Sequence, residues 1–248
     1  MSVWEAVAIF AAGIGAGIVN AAVGSGTLIT FPVLLGFGYA PVTANVSNTI
    51  GLVPGSLSGA YAYRSQLREK LPLVARLAVP SVLGGIVGAA LLLTLPPGAF
   101  KKVVPFFIVA ALVLVVLGPR LTRWMSGRPR GRSHRTTLYL ALFATGVYGG
   151  YFGAAQGIIV LSLLSLLLAA EPQEVNGIKN VLVALVNLVS GIAFALFAHV
   201  AWGPAGLIAG GSLIGGRIGA AVAMRLPPAV FRFAIVAVAS IALVRLLS

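Results

Sequence analysis

The chain reads as a series of long apolar runs separated by short polar or glycine- and proline-rich interruptions. A helix needs about 20 apolar residues to cross a hydrocarbon core, and several runs approach that length. The first, Val3 to Val23, is closed by Gly24-Ser25-Gly26. Thr27 to Phe37 follows; it is short, contains Pro32, and reads as a half-helix or a re-entrant segment. Gly36 to Pro41 has the composition of a turn. The third run, Val42 to Tyr63, is polar for a lipid-facing helix, with Thr43, Asn45, Ser47, Asn48, Thr49, Ser56 and Ser58. Such residues belong against the protein interior or a wet cavity. A basic loop with Arg64, Arg68 and Lys70 leads to Leu73 to Leu95, a corner at Pro96-Pro97-Gly98, and a fifth segment whose core is Val103 to Leu117.

Residues 119–136 differ, with six Arg, His134 and several Gly and Pro breakers. This is a hydrophilic linker, cytoplasmic by the positive-inside rule; topology signalling explains it more simply than a contact with anionic lipid. The pattern then restarts. Leu138 to Ala155 is apolar and glycine-rich, Gln156-Gly157 breaks it, and Ile158 to Ala170 is short. A polar turn, Glu171 to Glu174, precedes Val175 to Val200, which carries Asn176, Lys179, Asn180, Asn187 and Ser190. Ala205 to Met224 and Ala229 to Leu247 complete the series.

The two halves align. Gly17 and Gly24 correspond to Gly150 and Gly157 at an offset of 133, and Asn48, Ser58 and Gly59 to Asn180, Ser190 and Gly191 at 132. Gly84, Gly85 and Gly88 correspond to Gly215, Gly216 and Gly219 at 131, as Leu95-Pro96-Pro97 does to Leu226-Pro227-Pro228. Several motifs in one order with a slowly drifting offset indicate duplication, with a first repeat over residues 1–118, the linker over 119–136 and a second repeat over 137–248. Five crossings per repeat would make the second inverted; four, with the short segments dipping in and returning, would make the repeats parallel. The loop after the third segment is basic while its counterpart, His199 to Trp202, has no fixed charge, which favours inversion; Lys101 and Lys102 weigh against it. The expected fold is an all-α polytopic membrane protein with about five segments per repeat, about eight to ten crossings, and broken helices at the glycine-rich stretches.

Composition agrees with a lipid solvent. The 248 residues are 59% hydrophobic and 8% charged, where a soluble domain carries about 25% charge. The +13 formal charge falls largely between apolar runs, and no aromatic platforms interleaved with basic residues point to nucleic acid. With no Cys, no disulfide or thiolate metal site is available. The N-terminus lacks a basic leader region, and residues 3–23 read as a retained membrane segment.

The glycine-rich first break with Pro32, the stretch Asn45-Val46-Ser47-Asn48-Thr49, and Gly149-Gly150-Tyr151-Phe152-Gly153-Ala154-Ala155-Gln156-Gly157 resemble the sulfite exporter TauE/SafE family, part of the toluene sulfonate uptake permease group. The resemblance covers nearly all of the chain outside the Arg-rich linker. It implies a bacterial or archaeal inner-membrane carrier of small, often sulfur-containing anions. Here the first break reads Gly24-Ser25-Gly26 rather than three glycines, and the second is Gln156-Gly157.

Broken helices leave free backbone N–H groups and a positive dipole end inside the membrane, a ready anion site. The candidate substrate-binding set is Asn20, Gly24, Ser25, Gly26, Asn45, Ser47, Asn48, Gln156, Gly157, Lys179, Asn180 and Arg217. Lys179 has two readings: a functional cation within a span, or a snorkelling lysine satisfied by headgroups, Glu174 or Glu171. Arg217 either binds anion or a helix end, or snorkels; Asn20, Asn45 and Asn187 either line a path or tie helices. The GxxxG pairs Gly84/Gly88 and Gly215/Gly219 read as close helix packing. His134 and His199 do not make a metal site, no catalytic set converges by spacing, and no Walker loop supports ATP use. No cofactor is expected. The partners expected are the bilayer and a small anionic substrate, with H⁺ or Na⁺ as the coupling ion if transport is coupled. An anion or small-solute channel and a non-transporting scaffold subunit are the rival readings.

Overall fold

The computed structural model describes residues 1–126, 135–168 and 170–223. Its first five helices are α1 (Val3–Ala22), α2 (Thr27–Gly36), α3 (Pro41–Ala62), the short α4 (Arg64–Leu67) and α5 (Leu71–Thr94). Five more follow: α6 (Pro97–Ser126), α7 (Arg135–Tyr151), α8 (Gln156–Leu167), α9 (Pro172–Phe197) and α10 (Trp202–Ala223). No strand occurs among the described residues. The expected final segment, Ala229 to Leu247, and residues 127–134 lie outside them.

Three local expectations differ from the structure. The helix α6 runs through Pro119 as far as Ser126, past the start expected for the linker; one proline did not end it, and Arg120 to Met125 contain no glycine. The basic loop after α3 is folded as α4 and a 3₁₀ turn, Arg68–Lys70. Glu174 is not part of a turn either: Pro172 occupies the first turn of α9, where its missing N–H costs nothing.

Four stretches have the length and apolarity of membrane spans among the described residues: Val3–Ala22, Arg64–Thr94, Gly98–Leu117 and Pro172–Phe197. The polarity of the molecule runs opposite to that of a water-soluble globule. Leu83, Ile86 and Leu91 of α5, Phe106 and Val113 of α6, Leu196 of α9 and Ile214 of α10 face outward, while Asn45, Ser47, Asn48, Lys179 and Ser190 are completely buried. An apolar rim around an interior that holds polar clusters among apolar packing suits lipid as the solvent.

Glycine contacts set the directions of the helices. Phe10, Ile14 and Ile18 of α1 lie against Gly211, Gly215 and Gly219 of α10 in that order, so these helices run parallel. Gly84 and Gly88 of α5 meet Phe143, Val147 and Tyr151 of α7, again in ascending order. Conversely, α3 and α9 are antiparallel, since Asn176 bonds Tyr63, Asn187 bonds Ser56, and Gly191 lies against Ile50 and Val53. The α2 helix turns back beside α1: Gly26 sits against Ala16, Ile29 reaches Gly15, and Tyr39 Oη donates to Glu5 Oε1 at 3.0 Å. The α1–α2 pair is therefore a hairpin that ends where it began, and α3 starts from that end.

Each GxxxG pair is buried in a helix crossing where a Cβ would strike the neighbouring backbone. Gly215→Leu is expected to destabilise the protein by at least about 2 kcal/mol through overpacking. Gly206→Leu on the open face of the same helix, where nothing lies within contact range, is expected to be neutral. Thermal unfolding in detergent distinguishes them.

Candidate functional site

Both glycine-rich breaks are real interruptions between helices. In the first, Gly24 has φ +84°, a left-handed conformation that costs glycine nothing. The second uses Gly153 at φ +75° and Ala155 at φ 58°. The breaks meet: the Gly157 N–H donates to the Gly24 carbonyl at 3.1 Å. The approach is so close that a Cβ on either glycine would collide with the other's backbone. Thus α2 starts a few residues from this crossing on one chain segment and α8 starts at it on the other.

Helix ends leave carbonyls without intrahelical partners, and buried carbonyls need donors. Near the end of α1, Ala21 O accepts from both Lys179 Nζ and Asn180 Nδ2, each at 3.2 Å. At the end of α7, Tyr151 O accepts from Asn45 Nδ2 at 3.0 Å. One broken helix is capped from α9 and the other from α3. Glu174 bonds Lys70 at 3.4 Å, so the local pairing of Lys179 with Glu174 is not the arrangement adopted.

The start of α2 is fastened to α3. Asn48 Nδ2 donates to Thr27 Oγ1 at 3.3 Å, and Thr30 Oγ1 donates to Asn48 Oδ1. Asn20 and Asn187 both donate to Ser56 Oγ, at 2.9 and 3.0 Å, joining α1, α3 and α9. Beside the crossing, Ser25 Oγ and Gln156 Oε1 are buried without hydrogen-bond partners, as is Asn45 Oδ1. Unsatisfied buried polar atoms are costly and call for an explanation such as a ligand or water.

Of the twelve candidate residues, Gly24, Ser25, Gly26, Gln156 and Gly157 form or flank the crossing, with Gly26 packed against Asn20. Lys179, Asn180 and Asn45 hold the helix ends, Asn48 holds the start of α2, and Asn20 ties three helices. Two residues stand apart. Ser47 Oγ accepts the Ala201 N–H at 2.9 Å, in the connection before α10. Arg217 is exposed on α10, on the side away from Gly215 and Gly219. Not anticipated were Thr27, Thr30 and the aromatic cover of the second break. Phe152 packs edge-on to Phe31 at 5.2 Å, with Phe100 and Phe107 within 6 Å. Phe152 inside a glycine-rich interruption was the available signal for that cover.

With this geometry in hand, relatives decide the family. Residues 9–246 match the sulfite exporter TauE/SafE family. The chain belongs to that family. It is 26% identical over 219 residues to a probable membrane transporter protein of Haemophilus influenzae, covering 87% of this chain and 84% of the relative. It is 24% identical over 236 residues to the probable membrane transporter protein YfcA of Escherichia coli, covering 94% and 86%. A probable membrane transporter protein, ORF9, of a Sinorhizobium species is 28% identical over 224 residues, covering 87% and 82%. No solved structure matches. Like its TauE/SafE relatives, the chain is thus a multi-pass membrane protein of a transporter family.

Gly24→Ala and Gly38→Ala separate two costs at left-handed glycines. Gly38 has φ +85° and open space around it, whereas Gly24 also touches Gly157. Gly38→Ala should lose about 1 kcal/mol of stability through backbone strain alone. Gly24→Ala should lose clearly more, and a thermal melt of the two variants checks the order.

Proposed function

We propose that the protein is a secondary carrier that moves a small anion across the cytoplasmic membrane, a sulfur oxyanion or organosulfonate such as sulfite. The observation that carries this reading is the crossing of Gly24 and Gly157, three residues beyond the Ala21 carbonyl that a completely buried lysine caps. Two short helices begin there, and helix N-termini attract anions. Ser25 and Gln156 supply unpartnered polar atoms at the same place. The relatives' names support transport, and the family's name supports a sulfur oxyanion.

The same proposal treats residues 1–118 and 137–248 as inverted repeats around the 119–136 linker. Its support is directional. The third helices of the two halves, α3 and α9, run antiparallel, as a two-fold axis in the membrane plane requires. The crossing of α1 on α10 is matched by that of α7 on α5, with Gly13 and Gly17 corresponding to Gly146 and Gly150. On this reading α1 and α2 act as one re-entrant hairpin. In the first half α3, α5 and α6 then remain as crossings, an odd number that inversion needs.

The test is ligand-induced thermal stabilisation in detergent at constant ionic strength, with sulfite, sulfate, thiosulfate, methanesulfonate and small carboxylates. A ligand that binds only the folded state raises stability by about 2.7 kcal/mol at a hundredfold excess over its Kd. A selective shift from a sulfur oxyanion or sulfonate is expected. Lys179→Ala should weaken it roughly ten- to a hundredfold, the worth of a charge-assisted hydrogen bond. An unchanged affinity in folded Lys179→Ala protein removes Lys179 from the site. Counterflow in proteoliposomes should show trans-stimulation; its absence marks a channel.

A further inference from the structure

Lys179 is completely buried, and its hydrogen bond goes to a backbone carbonyl, which is neutral. The whole chain has four acidic side chains, and none of them is placed to balance it. Glu5 lies at the start of α1, engaged by Ser2 and Tyr39. Glu69 and Glu171 are exposed. Glu174 bonds Lys70, and it precedes Lys179 by five residues, about 7.5 Å along the axis and about 140° round the helix.

The elements packed on α9 bring no acid either. The α3 helix offers exposed Tyr61 and, at its end, Tyr63, which accepts from Asn176. Arg64 of α4, Arg76 of α5 and Arg135 of α7 are exposed cations. The tyrosines of α7 are Tyr139, Tyr148 and Tyr151, the second donating to Ala154 O at 2.6 Å; α8 has no titratable side chain.

An ammonium ion taken out of water without a counter-charge is strongly disfavoured. A helix C-terminus supplies only a fraction of a negative charge. The one full counter-charge that this interior can receive is the substrate. We propose, on the anion-carrier reading above, that Lys179 is the coupling group. The amine is neutral in the unloaded protein, takes a proton from water when the anion binds, and returns it to water when the anion leaves. Anion and proton then travel together, one proton for each anion, with no co-reactant consumed. Linkage makes the effect reciprocal: the anion raises the amine's proton affinity, and the proton raises the affinity for the anion.

The sign follows. Anion affinity is full where the unloaded amine is already charged. It falls about tenfold per pH unit as pH rises through the window between the unloaded and loaded titrations, because one proton is bound with the anion. Methanesulfonate and sulfate suit the test, since neither titrates between about pH 6 and about pH 9, so any proton uptake belongs to the protein. Both are titrated into purified protein in weakly buffered detergent with a pH indicator, and affinity is read in parallel by thermal stabilisation. Expected is uptake of one proton per anion bound and a falling affinity with pH. Lys179→Arg, a cation at every pH, should bind anion without proton uptake or pH dependence; Lys179→Met should lose both the uptake and most of the affinity.

Anion binding by the wild type with no proton uptake and a flat pH profile overturns the coupling and leaves the carrier reading intact. Proton uptake that persists in folded Lys179→Met also overturns it. If no anion of the full panel binds folded wild-type protein, the anion reading falls and this inference with it. The wild-type titration decides even where a variant fails to fold.

Discussion

The structure depends on two interrupted helices placing their breaks against each other. An irregular backbone inside a membrane protein has no water to satisfy it. Here part of the solution is reciprocal, because the N–H of Gly157 is taken by the carbonyl of Gly24. That bond needs the two backbones nearly in van der Waals contact, which excludes a side chain at either position. Glycine is therefore required twice over at residue 24, by its left-handed φ and by its neighbour. The rest of the packing serves the same closeness. Gly13 and Gly17 let α10 lie against α1, Gly146 and Gly150 let α5 lie against α7, and Ser212 bonds the Gly51 carbonyl and the Gly55 N–H across another tight contact.

The remaining unsatisfied ends are treated in a crosswise manner. The last turn of α1 depends on Lys179 and Asn180, and the last turn of α7 on Asn45. A motion of α9 relative to α1 must break or carry the Ala21 cap, and a motion of α3 relative to α7 must do the same to the Tyr151 cap. The end of each interrupted helix, α1 and α7, is thus fastened to a long helix from the other half of the sequence. Ser56 adds a third fastening by accepting from Asn20 and Asn187 together. Breaks fastened in this way are held at defined positions, as an anion-binding geometry built from backbone N–H groups needs.

Much of this was legible in the sequence, and the reasons for success and failure are physical. The first break was placed to within a residue because glycine and serine interrupt an apolar run with no competing signal; α1 ends at Ala22 and α2 begins at Thr27. The third helices were recognised by polarity alone, and most of their Asn and Ser side chains, Asn45, Ser47, Asn48, Ser56, Asn180, Asn187 and Ser190, are buried in the interior. Arg217 had two readings, binding or snorkelling, and it is exposed on α10. It stands two residues from both Gly215 and Gly219, about 200° round the helix, so periodicity already pointed it outward. The partner of Lys179 was not legible at all. Glu174 and Glu171 were the nearby choices, whereas Ala21 is 158 residues away, and no local pattern encodes a contact with a distant main-chain carbonyl. The folding of residues 64–70 was hidden for a related reason, since charge marks a surface but does not distinguish a loop from a short helix.

The proposed symmetry also sharpens the meaning of Lys179, the one buried lysine or arginine among the described residues. At the position equivalent to Lys179 the first half has Ser47, which is occupied by the Ala201 N–H. Its neighbours are conserved in kind across the halves, Asn48 against Asn180, and both are tied into hairpin segments. On the proposed symmetry Asn48 and Asn180 occupy equivalent positions, while the charge at residue 179 has no counterpart. A structural need common to both broken helices would call for the same residue twice, and Asn45 meets the need at α7 with a neutral amide. Capping alone leaves the charge at residue 179 without a reason, since Asn180 already bonds the same carbonyl. What the amine adds beyond its amide neighbour is a positive charge that can be present or absent. In an interior with no carboxylate to answer it, that charge is coherent only when something anionic is present.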